Sequence, residues 1–430
     1  MLLDKLFALH SRGSTLRKEM VAGATTFMAM SYILFVNPSM LAQAGMDHGA
    51  VFVATCLAAA LGSLLMGLLA NLPVALAPGM GLNAFFTYVI VLEQGHPWQT
   101  ALACVFFSGC LFLLLSIFKI REWIINSIPL PLKMGIAAGI GMFLALIALK
   151  TANIIVASPA TLVTLGDLHQ MPVLLALAGF FVIFALVHRG WHSAVLLSIL
   201  AVTIAAILLG DVQYQGIVAL PPSLTPTFMQ LDFASALSLT MVPVILSLLF
   251  LDLFDTSGTL VAVTHKAGLM QANGKVPALD KALIADSSAS IAGAIFGTST
   301  TTSYVESASG VAAGGRTGLT AVVTAVFFLA ALWFSPVAAM VPSYATAGAL
   351  LYVAMLMLGS LRHVQWDDVL QAVPVSVVLI MMPLTFSISD GIGMGFISYA
   401  VLCLLTGKLN KTTFSVWVLA LIFLAKFIWG

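Results

Sequence analysis

The sequence predicts an all-α polytopic membrane protein built as two seven-span halves of opposite orientation. Only 8% of the 430 residues are Asp, Glu, Lys or Arg, and 61% are hydrophobic. A soluble domain carries about 25% charged residues, so this chain has too few polar side chains to cover a water-soluble globule. Most of its apolar stretches are about 17 to 25 residues long, which is the length of a helix that crosses a bilayer.

Seven apolar stretches precede a polar linker, and seven follow it. The first seven are predicted at residues 20–42, 50–70, 75–92, 99–118, 132–150, 172–188 and 192–209. The second seven are predicted at residues 239–263, 279–297, 300–314, 317–338, 345–360, 369–387 and 391–407. The two repeats are therefore residues 1–215 and 216–411. The remaining C-terminal apolar segment, 412–430, is left open as a fifteenth crossing at 412–429 or a surface helix.

The loop charges predict the orientation of these spans. With the amino terminus in the cytoplasm, 15 of the 17 basic residues fall on the cytoplasmic side, and only Lys150 and Lys426 do not. Such a bias sets the topology of membrane proteins. Because seven is an odd number, the second half must enter the membrane from the opposite side. Inverted repeats of this kind are typical of secondary transporters.

The third segment of each half is unlike an ordinary membrane helix. Residues 71–89 read NLPVALAPGMGLNAFFTYV, and residues 293–311 read GAIFGTSTTTSYVESASGV. Proline and glycine across 77–84, and Ser and Thr across 298–303, disfavour a helix interior. Each segment is predicted to contain a short strand that leads into a half-helix. Unpaired backbone groups cannot face lipid, so the two breaks should line an enclosed binding site near the midplane.

Two acidic residues within apolar sequence are the main candidates for that site. Asp255 lies in LFLDLFDTSGTLV, and Glu306 lies in TSYVESASGV. A charged group at the bilayer centre costs roughly 2.5 to 3.5 kcal/mol on insertion scales, and such groups usually serve a ligand or a pathway. Asp252 lies on a neighbouring face of the same helix. Asp286, which two serines follow, is open to a helix-capping role or a functional one.

Spacing links further residues to these acids. Asn83 and Glu306 are separated by 223 positions, and so are Tyr32 and Asp255. The amide of Asn83 can donate and accept hydrogen bonds at a ligand, or it can cap the half-helix. Phe85 is either a core residue or a ring that stacks on a planar ligand, a contact worth roughly 1 to 3 kcal/mol for nucleobases.

Other classes of function are disfavoured. The net charge is +1 and no long basic run is present, which argues against a nucleic-acid partner. The four cysteines lack CxxC spacing, so neither a disulfide framework nor a metal site is expected, and no cofactor motif was found. DTSGT lacks the lysine of the phosphorylated DKTGT loop of ion-pumping ATPases. The protein is expected to be surrounded by membrane lipid.

Several motifs resemble one transporter family over nearly the whole chain. They are TTFMAMSYILFVNP, ALAPGMGLNAFF, LFDTSGTL, GTSTTTSYVESASGVAAGGRTGLTAVV and VPSYATAGALLYV. They are similar to the AzgA-like purine nucleobase permeases of the nucleobase–ascorbate transporter superfamily. The resemblance implies 14 transmembrane segments as 7+7 inverted repeats, with a core domain of spans 1–4 and 8–11. It also implies a gate domain of spans 5–7 and 12–14, through which a homodimer can form.

The resemblance also implies roles for particular residues. By similarity, Asp255 and Glu306 are the acidic positions of spans 8 and 10, and Asn83 and Phe85 are the polar and aromatic positions of span 3. Tyr304 matches an aromatic position of related uracil carriers. Those carriers have Glu where Asp255 stands. Together with Tyr32, these residues form the predicted substrate-binding set.

The predicted function is import of a purine nucleobase across a bacterial inner membrane by proton symport with alternating access. A purine is planar, uncharged and rich in N–H donors and ring acceptors, which suits carboxylates, an amide and an aromatic face. Burial disfavours the charged form of a carboxylate. Asp255, with Glu306 as the second candidate, is therefore expected to take up the coupled proton.

Two alternatives remain at this point. One is an anion transporter or channel of the same fold, in which half-helix amino termini hold the anion. Two buried acids argue against it, because an anion would meet like charge. The other is an intramembrane enzyme that uses Asp252 and Asp255, or Asp286, as a carboxylate pair. We disfavour it because Asp252 and Asp255 are only three residues apart on one helix and no second acidic motif of that kind is present. The motifs do not separate adenine carriers from guanine or hypoxanthine carriers.

Overall fold

The computed structural model of the chain describes residues 2–118, 129–159, 161–270, 276–408 and 414–429. Residues 412, 413 and 430 of the predicted C-terminal segment lie outside this part of the chain. The described residues are mostly helical, with four short strands.

The helices follow the apolar stretches of the sequence. Those of the first half are α1 (Leu2–Phe7), α2 (Leu16–Met30), α3 (Ile33–Gln43), α4 (His48–Leu65), α5 (Met80–Ala84), α6 (Trp98–Ile117), α7 (Leu130–Thr151), α8 (Met171–His188) and α9 (Ala194–Leu208). Those of the second half are α10 (Phe233–Ala236), α11 (Val242–Lys266), α12 (Leu279–Phe296), α13 (Ser307–Ala312), α14 (Gly318–Ala331), α15 (Ser335–Met340), α16 (Ser343–Leu358), α17 (Val369–Leu384), α18 (Ile388–Leu405) and α19 (Phe414–Trp429). Wider π-helical turns continue α4 over Met66–Ala70 and α5 over Phe85–Glu93.

Nine helical segments in the described part of the chain are long and apolar enough to cross a membrane. They are Leu16–Gln43, His48–Ala70, Trp98–Ile117, Leu130–Thr151, Met171–His188, Leu239–Lys266, Gly318–Met340, Ser343–His363 and Ile388–Leu405. Four apolar helices are shorter: Met80–Glu93, Ala194–Leu208, Val369–Leu384 and Ser415–Ala425. The chain is therefore a polytopic membrane protein, as its composition predicts.

The chain divides into two compact units. The larger unit comprises residues 1–117 and 171–349, and the smaller comprises residues 118–170 and 350–430. In the smaller unit, α17 packs on α7 and α18. It also contains an antiparallel hairpin, β2 (Ile155–Ser158) with β3 (Leu162–Leu165), which the apolar pattern did not indicate.

In the larger unit, two short strands lie where the sequence predicts broken helices. Strand β1 (Leu76–Pro78) pairs antiparallel with β4 (Thr301–Ser303), and Ala77 stands opposite Thr302. The ladder extends by one hydrogen bond at each end, from Gly79 N–H to Thr300 O at 2.9 Å and from Tyr304 N–H to Ala75 O at 2.9 Å. The backbone groups that leave their helices therefore pair with each other, which is how such groups are tolerated in an apolar environment.

Polar groups fix where the helices around the breaks begin. Asp47 accepts a hydrogen bond from Ala50 N–H at 2.7 Å and so caps α4. The buried carboxylate of Glu19, on α2, accepts from Arg316 N–H at 3.0 Å and Thr317 N–H at 3.4 Å, and from the hydroxyl of Thr320. A negative charge at a helix amino terminus is favourable. Glu19 thus joins α2 to the start of α14, on which α2 also packs.

Candidate functional site

The two strands place two helix amino termini next to each other. Helix α5 begins directly after β1 and Gly79, and α13 begins after β4 with Glu306 at its N-cap position. A side chain at position 79 would not fit, because a Cβ built on Gly79 would lie 2.5 Å from Thr302 Cγ2. The glycine therefore permits the close approach of the two strands.

Asp255 lies at this junction. Its Oδ2 is 3.7 Å from the position that a Cβ on Gly79 would occupy, so the carboxyl group is close to the start of α5. Asp255 is exposed, although Asp252 and Thr256 on the same helix are buried. A Cβ on Gly258, about one turn further along α11, would meet nothing within 4 Å. Asp255 therefore borders open space in the middle of an apolar helix.

Glu306 belongs to the same junction and is partly exposed. The hydroxyl of Tyr32 donates a hydrogen bond of 2.6 Å to Glu306 Oε1. The neighbouring Val305 is 45% exposed, so the chain just before α13 is also accessible. Tyr32 itself is buried, which makes its hydroxyl a fixed donor that orients the glutamate carboxyl group.

Tyr304 connects the two breaks. Its hydroxyl donates to Pro78 O at 2.6 Å, and its backbone N–H pairs with Ala75. The side chain is 5% exposed. In this structure Tyr304 therefore links β1 to the start of the second half-helix, and little of its ring is free to contact a ligand.

Asn83 and Phe85 are buried side chains of the first half-helix and its π-helical continuation. Asn83 is fully buried; its Oδ1 accepts from the hydroxyl of Ser299, and its Nδ2 is 3.9 Å from Met80 Sδ. Phe85 is 1% exposed. The structure therefore brings Asp255 and Glu306 to accessible positions, whereas Asn83, Phe85, Tyr304 and Tyr32 lie packed in the protein around the breaks.

A group of polar side chains that the sequence did not single out as a unit lies between α11, α12 and β4. We call it the acid–hydroxyl cluster; its members are Asp252, Thr256, Asp286, Ser290, Thr302 and Ser303. Thr256 Oγ1 is 2.9 Å from Asp286 Oδ1 and 2.7 Å from Thr302 Oγ1. Asp286 is in the interior of α12, which begins at Leu279, so it does not cap that helix. The four-residue spacing of Asp252 and Thr256, on one helix face, was the signal available in the sequence.

The described residues contain no group of three or more His, Cys, Asp or Glu side chains that could hold a metal ion. The arrangement at the junction instead offers two carboxyl groups, one exposed and one partly exposed, beside two helix amino termini. Such groups accept hydrogen bonds from N–H donors when ionised and donate one when protonated. The junction is therefore suited to a small polar molecule with several N–H groups.

Comparison with known proteins identifies the family. The sequence profile described as "Permease family" matches residues 17–394. The chain belongs to this family. The permease is 50% identical over 427 residues to the adenine permease AdeP of Escherichia coli strain K12, a match that covers 99% of this chain and 96% of that protein. It is 46% identical over 438 residues to the guanine/hypoxanthine permease PbuG of Bacillus subtilis strain 168, covering 99% of both. The predicted relationship to purine base permeases is confirmed, and the permease is not an enzyme.

Solved structures support the fold. The transmembrane domain of the cyanobacterium bicarbonate transporter BicA aligns with a TM-score of 0.67 at 18% identity, over 87% of the permease and 97% of that chain. The murine anion transporter Slc26a9 in its inward-facing state aligns with a TM-score of 0.68 at 11% identity, over 94% of the permease and 72% of that chain. At these identities the likeness concerns the architecture alone.

Proposed function

We propose that the permease imports a purine nucleobase, either adenine, hypoxanthine or guanine, by proton symport across a bacterial inner membrane. The names of the relatives support the substrate class, because adenine and guanine/hypoxanthine permeases match the chain over nearly their whole length. The amino terminus is predicted to lie in the cytoplasm.

The observation that carries the proposal is the accessible pair of acids at the junction of two broken helices. Asp255 and Glu306 flank the paired strands, and Tyr32 holds Glu306 in place. A purine presents several N–H donors and no charge. The two carboxyl groups can therefore accept its hydrogen bonds, and no cation is needed to neutralise a charge on the ligand. Purine recognition by Asp255 and Glu306 is therefore the main element of the proposed site.

The other predicted residues complete the proposed substrate-binding set. Asn83 would orient the base, and Phe85 or Tyr304 would stack on it. Because these side chains and Tyr32 are buried in this structure, a direct contact with the base requires a change of conformation at the breaks. In the present conformation these four side chains pack around the junction and do not line its accessible surface.

Proton coupling and alternating access belong to the same proposal. Asp255, and Glu306 as the second candidate, would take up a proton from the outside together with the base. The 14 spans would form 7+7 inverted repeats, and a core domain (spans 1–4 and 8–11) would move against a gate domain (spans 5–7 and 12–14). A homodimer through the gate domain is part of this proposal.

The substrate site is tested with Glu306→Gln, which keeps the shape of the side chain and removes its charge. We expect uptake of radiolabelled purine in cells that lack other purine carriers to fall to background. Asp167→Asn, in an exposed loop, is the matched control and should transport normally. Uptake by Glu306→Gln at the rate and affinity of the unmodified permease would show that the site is assigned wrongly.

Coupling is tested in proteoliposomes that contain the purified permease. Addition of purine to the outside should make the external solution more alkaline, because protons enter with the base. A purine-dependent uptake without proton entry would remove the symport mechanism and leave the substrate assignment intact.

An anion transporter of the same fold is the second candidate, since both structural neighbours described above are named as bicarbonate or anion transporters. Two acidic groups at the break oppose it, because an anion there would meet like charge. Bicarbonate or chloride should therefore fail to compete with purine uptake. Effective competition by these ions would favour the anion carrier.

A further inference from the structure

The acid–hydroxyl cluster contains two carboxyl groups that are fully enclosed by protein. Asp252 is 1% exposed and Asp286 is 0% exposed. An ionised carboxylate in such a place normally pairs with a cation. Asp255, on the same helix as Asp252, and Glu306, which follows β4, are further acids and supply no cation.

Basic residues are absent from the elements packed against the cluster. Helices α11 and α12 are in contact with α4, α5, α6, α13, the π-helical turn Met66–Ala70, the 3-10 turn Leu239–Met241, β1 and β4, and none of these carries Lys or Arg. Their other titratable groups are His48, at the first residue of α4, and Cys56, Cys104 and Cys110; Tyr304 follows β4. Lys281 on α12 is exposed, and Lys266 ends α11. The two buried acids therefore have no basic neighbour on the described elements.

The hydroxyl groups of the cluster supply too few hydrogens for the carboxyl oxygens. Each hydroxyl donates one hydrogen bond. Ser290 is 2.7 Å from Thr301 O and 3.4 Å from Asp252 Oδ2, so its hydrogen is better placed for the carbonyl. Thr256 is 3.5 Å from Asp252 Oδ1 but 2.9 Å from Asp286 Oδ1. The hydroxyl of Thr302 also reaches Asp252, but its single hydrogen is shared with Thr256 Oγ1 at 2.7 Å. Asp252 is therefore poorly supplied with donors.

The second observation concerns single buried atoms. Asp286 Oδ1 is within hydrogen-bonding distance of Thr256 and, at 3.1 Å, of Ser303, but Asp286 Oδ2 is buried with no hydrogen-bond partner among the described residues. The hydroxyl of Thr301, a residue of the adjoining strand, is also buried without one. A buried polar atom left unpaired costs about 1 to 3 kcal/mol, and more for a charged group. A proton on the acid pair would neutralise one carboxylate and supply a donor.

The cluster is also joined to the proposed substrate site. The position that a Cβ on Gly79 would occupy is 3.7 Å from Asp255 Oδ2 and 2.5 Å from Thr302 Cγ2, so both side chains lie beside Gly79. Thr302 Oγ1 is in turn 2.7 Å from Thr256 Oγ1, and Thr256 contacts both buried acids. Thr302 lies in β4 opposite Ala77, next to the start of both half-helices. A proton that enters at Asp255 is thus close to Thr302, which is joined to the buried acid pair through the hydroxyl of Thr256.

We propose that Asp252 and Asp286 share one proton and form a relay that receives it from Asp255 during transport. The relay rests on the proposed proton symport and adds to it a second proton-binding site, which is buried. In the loaded state one carboxyl group is neutral, and the other is an ionised acceptor. Release of the proton to the inside leaves two charges beside β4, which favours the return of the protein to its proton-accepting state.

The test separates base exchange from proton-driven accumulation. Exchange of radiolabelled purine for unlabelled purine across proteoliposomes needs no net proton movement, whereas accumulation driven by an imposed pH gradient does. For one proton per base, a gradient of about one pH unit supports about tenfold accumulation, since about 1.4 kcal/mol corresponds to a factor of ten. We expect Asp286→Asn to retain exchange and to lose both this accumulation and purine-dependent proton entry.

Asp252→Asn should behave in the same way, and it serves as the second variant should Asp286→Asn fail to fold. The matched control is Asp232→Asn, which changes an acid that caps the short helix α10; it should accumulate purine like the unmodified permease. Size-exclusion chromatography and binding of radiolabelled purine establish that each variant is folded.

Three results would overturn the relay. One is normal pH-driven accumulation in both Asp286→Asn and Asp252→Asn, and another is loss of exchange in variants that remain monodisperse and still bind purine. The third is accumulation driven by a sodium gradient without a pH gradient, which would assign the cluster to Na⁺. Failure of the unmodified permease to move purine or protons would instead contradict the proposed function itself.

Discussion

Asp252 and Asp255 show how a shift of three residues along one helix changes the environment of an acid. Asp252 is buried among hydroxyl groups, and Asp255 borders open space beside Gly79. Both are acids in an apolar segment. The sequence alone therefore indicates that the segment is unusual but does not tell which acid is buried and which is accessible. The proposed function accordingly assigns contact with the substrate to Asp255 and not to Asp252.

Tyr32→Phe tests whether the orientation of Glu306 matters for substrate binding. The change removes the hydroxyl that donates to Glu306 Oε1 and keeps the buried ring. We expect the apparent affinity for purine to fall by roughly fivefold, or about 1 kcal/mol, with little change in expression. Uptake measured over a range of purine concentrations gives the value.

Tyr214→Phe is the control, since Tyr214 is 63% exposed. An unchanged affinity in Tyr32→Phe would mean that this hydrogen bond does not position Glu306 for the substrate.

The candidate site was predictable from sequence only where a residue type is unusual for its surroundings. Asp255 and Glu306 stand out because acids are costly in apolar segments. The contact of Asn83 with Ser299 was not predictable, because the two residues lie on different halves and meet only when β1 pairs with β4. The burial of Asn83 and Phe85 follows from that pairing. The acid–hydroxyl cluster was missed for the same reason, since α11, α12 and β4 each supply part of it.

At the scale of elements, the two breaks depend on close packing of neighbouring helices. A Cβ built on Gly310, in α13, would lie 2.0 Å from Thr26 Oγ1 and 2.5 Å from Ala22 O. Helix α2 therefore approaches the backbone of α13 so closely that only glycine fits. This contact fixes the half-helix that follows Glu306.

Gly310→Ala should therefore destabilise the permease. Overpacking of a tight contact typically costs about 1 to 3 kcal/mol. We expect a lower midpoint of thermal unfolding in detergent and reduced transport. The matched variant is Gly258→Ala on α11, where a Cβ meets nothing within 4 Å. It should be at least as stable as the unmodified permease, because alanine is favoured over glycine in helices by about 0.5 to 1 kcal/mol. Equal midpoints for both variants would contradict the packing argument.

Glu19 provides a second test at this scale, because it joins α2 to the amino terminus of α14. Glu19→Ala leaves the backbone N–H groups of Arg316 and Thr317 without their acceptor. A buried unsatisfied donor costs about 1 to 3 kcal/mol, so the thermal midpoint should fall clearly. Asp167→Asn, in an exposed loop, should leave the midpoint unchanged. A midpoint for Glu19→Ala equal to that of the control would show that Glu19 does not stabilise this junction.

For the whole molecule, composition and the length of apolar stretches were sufficient to predict a polytopic helical protein. The two strands at the breaks followed from Pro78 and the Ser/Thr run 298–303. The hairpin 155–165 was not indicated, because the search was for apolar stretches long enough to span a membrane, and the strands on either side of the turn signal Ser158-Pro159 are only four residues long. The number of crossings remains a prediction from the apolar stretches, and their orientation remains a prediction from loop charge.

The predicted orientation is tested by labelling single cysteines with a membrane-impermeant maleimide. Thr161→Cys lies in the exposed hairpin loop that the span count places outside, and Ser11→Cys lies in the exposed amino-terminal region that it places inside. In intact cells we expect Thr161→Cys to react and Ser11→Cys to react only after permeabilisation. The unmodified permease, whose described cysteines are buried or partly buried, gives the background. The reverse pattern would invert the topology.

The most direct measurement is an experimental structure of the permease with a bound purine base. The proposed site predicts density for the base at the junction of the two half-helices, with the carboxyl groups of Asp255 and Glu306 within hydrogen-bonding distance of its ring nitrogen atoms. Density for the base at a place where neither carboxyl group contacts it would contradict the account.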